Sequence, residues 1–246
     1  MKVKITLCIL SLFLLVNPAF CENRIMDSAT NTPIGNAKIT VPKYNYSTYS
    51  DAQGNFDLGN IKSPAILSVE KEGYRPFSLT VNSYNQAGTK PLVVGIEKSD
   101  VSDIVIESGM VHIGDDNYST ASANAGNFRL KSSGPYFTKD FVINNALGSN
   151  YLVIGSILGI DTLMAKTMGQ NRIVNAYASP PEVYFNGAKI AEIQLNGDNQ
   201  KIKLPNNLVR SQQKNQITIK AGRNLMQTVY IDYDDIEIAN LSILSD

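Results

Sequence analysis

Glu182–Leu195 reads EVYFNGAKIAEIQL, two apolar-rich runs on either side of Asn186-Gly187. Asn and Gly both accept the positive φ angles of a two-residue type I′ turn, so the stretch predicts a β-hairpin. Outward from it the same grammar repeats: short runs of alternating residues, separated by Gly, Asn, Asp and Pro. Strands are expected at 37–41, 66–71, 77–81, 92–96, 128–131, 137–143, 151–157, 183–185, 189–195, 216–220, 229–232 and 236–241. No long segment keeps the i, i+3, i+4, i+7 spacing of an amphipathic helix; 160–168 is open between one short helix and irregular chain. The fold class is therefore all-β, with β-sandwiches as the expected architecture.

The chain has 246 residues, of which 43% are apolar, enough for packed cores and a length suited to two domains. Lys plus Arg and Asp plus Glu number 22 each, so no net field draws it to nucleic acid. One histidine, His112, excludes any zinc site built on two or three imidazoles. The polar stretch KSDVSD, 98–103, is the expected junction between domains at 22–98 and 104–246.

Residues 1–21 have the layout of a secretory signal peptide: Lys2 and Lys4, an apolar run over Ile5–Val16, then Asn17-Pro18 and Ala19-Phe20-Cys21. The run is well short of the ~20 residues that span a bilayer as a helix. Cleavage is expected after Cys21, or after Ala19. Acylation of Cys21 would require a small residue before it, where Phe20 stands. Loss of the leader removes both cysteines and leaves 20 basic against 22 acidic residues, so no disulfide or thiolate chemistry remains. The expected destination is the periplasm, cell surface or medium, without a membrane span.

Asp27, Pro33-Ile34, Asn36-Ala37 before KITV, Asp51-Ala-Gln-Gly54-Asn-Phe56 and Gly73-Tyr74 form an ordered set in the first third of the chain. Asp51 and Gly54 suit a tight turn, after which Phe56 and Leu58 return apolar groups to one face. Gly73-Tyr74 supplies a bend and a large aromatic filler. Residues 24–98 on these grounds resemble the carboxypeptidase regulatory-like family, a transthyretin-like β-sandwich. Asn31 and Asn36 stand where that family often has Gly, and Asn is the non-glycine residue best suited to a left-handed conformation. The resemblance implies a non-catalytic scaffold or adhesion module, since nothing supplies the zinc ligands of the peptidases that carry it.

VHIGDDNYS, NFRLKSSGPYFTKDFVI, EVYFNGAKIAEIQL, NQITIKAG and YIDYDDIEIANLSI give residues 104–246 a weaker resemblance to galactose-binding-like jelly rolls, the kind used as carbohydrate-binding modules. That resemblance implies a structural calcium where the first and last strands meet, with Glu107, Asp115, Asp116, Asp234 and Asp235 as candidate ligands; calcium takes about six to eight oxygens. The acidic pairs are otherwise solvated turn residues. Candidate ligand-binding residues are Tyr136, Tyr177 and Arg129, with Tyr177 in AYASPPE, whose prolines stiffen a loop. Phe137 and Tyr184 sit in alternating strands and are expected in the core. Asn45, Asn117 and Asn240 head formal glycosylation sequons.

No nucleophile elbow or phosphate loop appears, and His112 in MVHIG is expected to be a packed strand residue. The leading expectation is a secreted, non-catalytic carbohydrate-binding or adhesion protein whose partner is a polysaccharide or glycan. An envelope or secretion-assembly subunit that pairs sheet edges with protein partners is the alternative. A weak glycoside hydrolase comes third, because any two suitably spaced acids would serve it.

Overall fold

In Ala65–Glu70 (AILSVE) every residue up to Val69 is buried, although a strand has two faces. Ala65, Leu67 and Val69 join one core, whereas Ile66 and Ser68 are buried against something else. That second layer organises the whole molecule. The computed structural model describes residues 23–59, 61, 64–81, 91–116, 128–144, 148–170, 178–223 and 235–245.

The first sandwich has two sheets. Sheet I orders β4 (Asn55–Phe56), β1 (Asn23–Asp27) and β7 (Val93–Ile96), with β1 and β7 parallel. Sheet II orders β3 (Tyr46–Tyr49), β2 (Lys38–Val41), β5 (Ala65–Glu70) and β6 (Phe77–Val81), all antiparallel. Ile25, Ile39, Val41, Leu67, Val69, Val81 and Ile96 pack between them. The turns form as their residues require: Asn31 and Asn36 take φ of 55° and 54°, and Gly54 takes 78°. A Cβ at Gly54 would lie 2.5 Å from the Ile25 carbonyl oxygen.

Among the described residues the second sandwich has eight antiparallel strands. Sheet III orders β13 (Gly197–Lys203), β10 (Asn150–Leu158), β15 (Ile236–Ser245) and β8 (Ile104–Ile113). Sheet IV orders β12 (Ala188–Glu192), β11 (Glu182–Phe185), β14 (Lys214–Lys220) and β9 (Tyr136–Val142). This strand order, with the first and last strands paired and the sequence passing back and forth between sheets, is that of a jelly roll. Phe137, Phe141, Leu152, Ile154, Phe185, Ile217, Ile219, Ile238 and Ile243 fill its interior. Asn186 and Gly187 take φ of 49° and 86°, the expected hairpin turn. A five-residue helix, α1 (Leu163–Thr167), is capped by the Thr162 hydroxyl, which accepts from the Ala165 amide.

Sheets II and III pack face to face, so the two sandwiches share a buried seam. Ile66, Val153 and Ala239 are buried there outside either core. Ser68 and Asn240 exchange hydrogen bonds of 3.2–3.3 Å across it. The Thr80 amide and hydroxyl both donate to Asp198 at 3.0 Å, and Ser156 donates to the same carboxylate at 2.7 Å. The 98–103 stretch is pinned rather than loose: the Arg75 guanidinium grips Asp103 at 2.6 and 3.1 Å and Glu97 at 2.6 Å.

Several expectations are corrected. Phe128–Lys131 forms no strand; the Leu130 carbonyl is taken by the His112 ring instead. Strands β8 and β13 went unforeseen, β8 because its register slips twice against β15 and β13 because GDNQKIK is a polar edge strand. Gly155 does mark an irregularity: both ladders of β10 pass from Ile154 to Ser156 without pairing Gly155, and Asn199 and Asn240 on the neighbouring strands take φ of 51° and 54°. Gly155 is also a point of close approach: a Cβ there would meet the Ser78 hydroxyl at 2.5 Å and Asn240 Cβ at 2.9 Å. The Asn240 sequon is buried in the seam, whereas Asn45 is exposed. The leader at 1–21, Asn117 and the 229–232 strand lie outside the described residues.

Two predictions follow from the seam. Gly155→Ala wedges the sheets apart and destabilises the chain by about 1–3 kcal/mol in urea denaturation, with faster exchange of the Thr80 amide. Glu237 is fully buried on the seam side of β15, with neither carboxylate oxygen hydrogen-bonded among the described residues. Burial raises its pKa to about 7, against the opposing charges of His112 and Lys43. The folded state then holds a proton that the unfolded chain releases near 4.5, so stability falls as pH rises from there to about 7. Glu237→Gln flattens that part of the stability–pH curve, a change on the order of 3 kcal/mol.

Candidate functional site

Strands β8 and β15 are antiparallel partners, with Glu237 opposite His112 and Ile236 opposite Ile113. This register brings the Asp235 side of β15 beside the end of β8, joining two acidic pairs that are far apart in sequence. His112 is buried, and its Nε2 lies 2.9 Å from Asp235 Oδ1. Its Nδ1 lies 2.6 Å from the Leu130 carbonyl oxygen and 3.5 Å from Asp116 Oδ1. Both ring nitrogens thus face acceptors, and an imidazole that donates from both is an imidazolium. Burial pushes the His112 pKa down; the hydrogen bonds to Asp235 and Leu130 and the charges of Asp235 and Asp116 outweigh it and leave it raised.

Asp235 Oδ1 also accepts from the Asp115 and Asp116 amides at 3.0 and 2.9 Å. The Asp116 carboxylate in turn receives the Ser132 amide, and Phe128 meets the imidazole edge-on at 5.0 Å. Gly114 leaves room for all this, since a Cβ there would lie 2.1 Å from Asp235 Oδ1. His112, Asp116 and Asp235 offer ligand atoms within 4.8 Å of one another and could hold an ion. One imidazole and two carboxylates do not make calcium's shell of about six to eight oxygens; that donor set suits a transition metal. As arranged, the group is a charge-assisted clamp that ties the loops at 114–116 and 130–133 to β15.

Of the residues expected to bind calcium, Asp115, Asp116 and Asp235 meet here, Asp115 through its amide and Asp116 and Asp235 through their carboxylates. Glu107 stands farther along β8, paired with Lys139 at 3.2 Å and accepting from the Gly109 amide. Asp234 lies outside the described residues, as does Tyr177. Both acidic pairs stand out in the sequence, and His112 is buried in its strand as the apolar run MVHIG implies; its partner Asp235, 123 residues away, has no local signal.

The outer face of sheet IV is a second candidate. Tyr136, Lys220, Glu182 and Glu192 stand opposite one another across its four strands, and Thr138, Thr218, Tyr184 and Lys189 form the next row. At ~4.8 Å per strand each row spans about 14 Å. Tyr136 is 56% exposed. Tyr184 faces outward rather than into the core, half-buried beneath Lys220, whose Nζ sits 4.6 Å from the ring centroid. Its hydroxyl donates to Glu182 at 2.7 Å, and Lys189 bridges Glu182 and Glu192 at 2.8 and 2.6 Å. Arg223 grips Glu192 at 2.8 Å. Burial raises the Glu182 carboxyl, but Lys189, Tyr184 and Lys220 outweigh it and hold it low; Lys189 and Arg223 lower Glu192. Phe137 is in the core as expected, and Arg129 is exposed on the irregular chain before β9, off this face.

Residues 24–106 match the model of the CarboxypepD_reg-like domain family, whose members are often adhesive or surface-associated. The match covers the first sandwich and the first residues of β8. It lends nothing to a galactose-binding-like assignment of the second sandwich, whose strand order is shared by many unrelated families. No curated protein matches the chain. Among the described residues, no helix is long and apolar enough to cross a membrane.

The clamp carries a pH prediction with a definite sign. The His112 pKa is raised on folding, so its stabilisation is complete below the unfolded value of about 6.5 and is lost as pH rises through the folded value. In an Glu237→Gln background, chemical denaturation at stepped pH shows stability falling above about 6.5. His112→Ala abolishes that decline and costs about 3–5 kcal/mol at pH 6, because Asp235 stays buried without its cation.

Proposed function

We propose that this chain is an exported, non-catalytic adhesion protein that binds a glycan on the open face of sheet IV, with the first sandwich as its rigid base. The observation that carries the reading is the asymmetry of the jelly roll. One outer face is sealed by the first sandwich, while the opposite face presents an exposed tyrosine beside ordered rows of Lys, Glu, Thr and Gln. A polysaccharide needs this combination: a flat aromatic surface for the apolar face of a ring, and donors and acceptors already fixed in position. The ion pairs among Glu182, Lys189, Glu192 and Arg223 hold their side chains in place before any ligand arrives.

The match of 24–106 to an often adhesive domain supports the same reading, and the signal-like leader supports export. Retained glycan hydrolysis would need one acid that keeps its proton near neutral pH. Glu182, Glu192 and Asp140 are the acids on the face among the described residues, and all three are held low by the cations beside them, which argues for binding over turnover. An ion at His112, Asp116 and Asp235 would brace the loops on the far side of the sandwich, and calcium is the poorer occupant. Weak single-site affinity suits a protein that meets a repetitive surface, where several copies engage together.

A glycan array probed with the purified processed chain tests the reading. Tyr136→Ala is expected to lower the retained signal at least about tenfold without changing the melting temperature, since the ring is exposed. Tyr177→Ala tests the loop candidate in the same way. An array without signal, together with an envelope protein that copurifies in fixed ratio, would replace glycan adhesion by envelope assembly.

A further inference from the structure

Among the described residues, every charged side chain that the four strands of sheet IV turn outward lies against an opposite charge. Asp140 pairs with Lys214 at 2.5 Å, Glu182 with Lys189 at 2.8 Å and Lys220 at 3.7 Å, and Glu192 with Lys189 at 2.6 Å. Arg223 closes the Glu192 end at 2.8 Å. These pairs form two groups, one over the β11–β12 half of the face and one at the far end of β9 and the start of β14.

Between the groups lies a patch without charge. Thr138 stands opposite Thr218, and Tyr136 is the neighbouring outward residue along β9. Lys220, across from Tyr136, turns the other way, with its Nζ over the Tyr184 ring and toward Glu182. Same-face residues along a strand are about 7 Å apart and adjacent strands about 5 Å, so Tyr136, Thr138 and Thr218 cover roughly the footprint of one or two sugar rings. The Tyr136 side chain is 56% exposed, and its hydroxyl has no hydrogen-bond partner among the described residues. The Thr138 and Thr218 hydroxyls lie 2.9 Å apart, where either donates to the other. Whichever donates, the pair keeps one proton and free lone pairs for a third hydroxyl.

We propose that this patch recognises an uncharged pyranose unit of a glycan and that the face discriminates against uronic and sulfated sugars. The inference rests on the glycan reading of sheet IV and names what that face selects. A sugar hydroxyl both donates and accepts, as the threonine pair does, and the apolar face of the ring suits the Tyr136 ring. An acidic sugar gains little, because the field of each cation is cancelled by a carboxylate already in contact with it. A ligand anion on the patch would also face Glu182 on one side and Asp140 on the other.

Calorimetric titration of the purified processed chain tests it, with neutral gluco-, galacto- and manno-oligosaccharides and oligogalacturonate as probes. At least one neutral probe binds, with an affinity that changes less than about twofold between low and high salt, since no charge contact is screened. Oligogalacturonate binds at least about tenfold more weakly than that probe. Thr218→Val keeps the β-branched shape and removes the hydroxyl; it weakens the neutral probe about fivefold or more with the melting temperature unchanged. Glu192→Gln leaves Arg223 without its carboxylate and gains oligogalacturonate binding that falls with added salt. Oligogalacturonate binding by the unaltered chain as strong as that of the neutral probe, and lost in Tyr136→Ala, overturns the inference and leaves glycan adhesion on this face standing. Neutral binding that is lost in Tyr136→Ala but untouched by Thr218→Val has the same consequence. Silence from every neutral probe also overturns the inference, and a glycan array that is silent as well overturns the adhesion reading beneath it.

Discussion

Sheet III has to be covered on both sides, and the rest of the molecule is arranged around that requirement. Its central strands β10 and β15 send Leu152, Ile154, Ile238 and Leu241 into the jelly-roll core and Val153, Ala239 and Asn240 out of the opposite face. Exposed, that opposite face would put Val153 and Ala239 into water along the two central strands. Sheet II covers it, with Ile66 and Ser68 turned away from their own core to do so. The two sandwiches are therefore one packed object rather than beads on a linker, and Arg75 fastens the connecting segment at Asp103 and Glu97.

The seam differs in kind from the two cores it joins. The cores are built almost wholly from Ile, Leu, Val and Phe, whereas the seam mixes three apolar residues with Ser68, Ser78, Ser156, Asp198, Glu237 and Asn240. Polar contacts have angular requirements that apolar ones lack, so they fix the orientation of one sandwich on the other. The same polarity leaves Glu237 and Ser78 without hydrogen-bond partners among the described residues.

Sealing one face of the jelly roll leaves the other open to solvent. On sheet IV the charged groups are paired within the face, which keeps the surface level and its side chains ordered without concentrating charge of one sign. The His112 clamp serves a different end. It ties loop chain at 114–116 and 130–133 to the start of β15, on an element whose opposite side is the core. His112 is enclosed there between a carboxylate and a carbonyl.

The all-β class, the Asn186-Gly187 hairpin, the left-handed asparagines of the first sandwich and the strand at 151–157 were all legible in the chain, because each depends on neighbours within a few residues. Periodicity reports which face of a strand is apolar, but not what lies against it. Tyr184 looked like core and faces outward; His112 is packed in its strand as expected, but the carboxylate and carbonyl that hold its ring come from distant segments. The polar strand β13 had no signal of its own, since its place is set by pairing with β10. Local sequence determined the strands and turns; tertiary structure decided which faces are sealed, which groups are charged and where a ligand has access, because burial and electrostatic partners come from chain segments more than 100 residues apart.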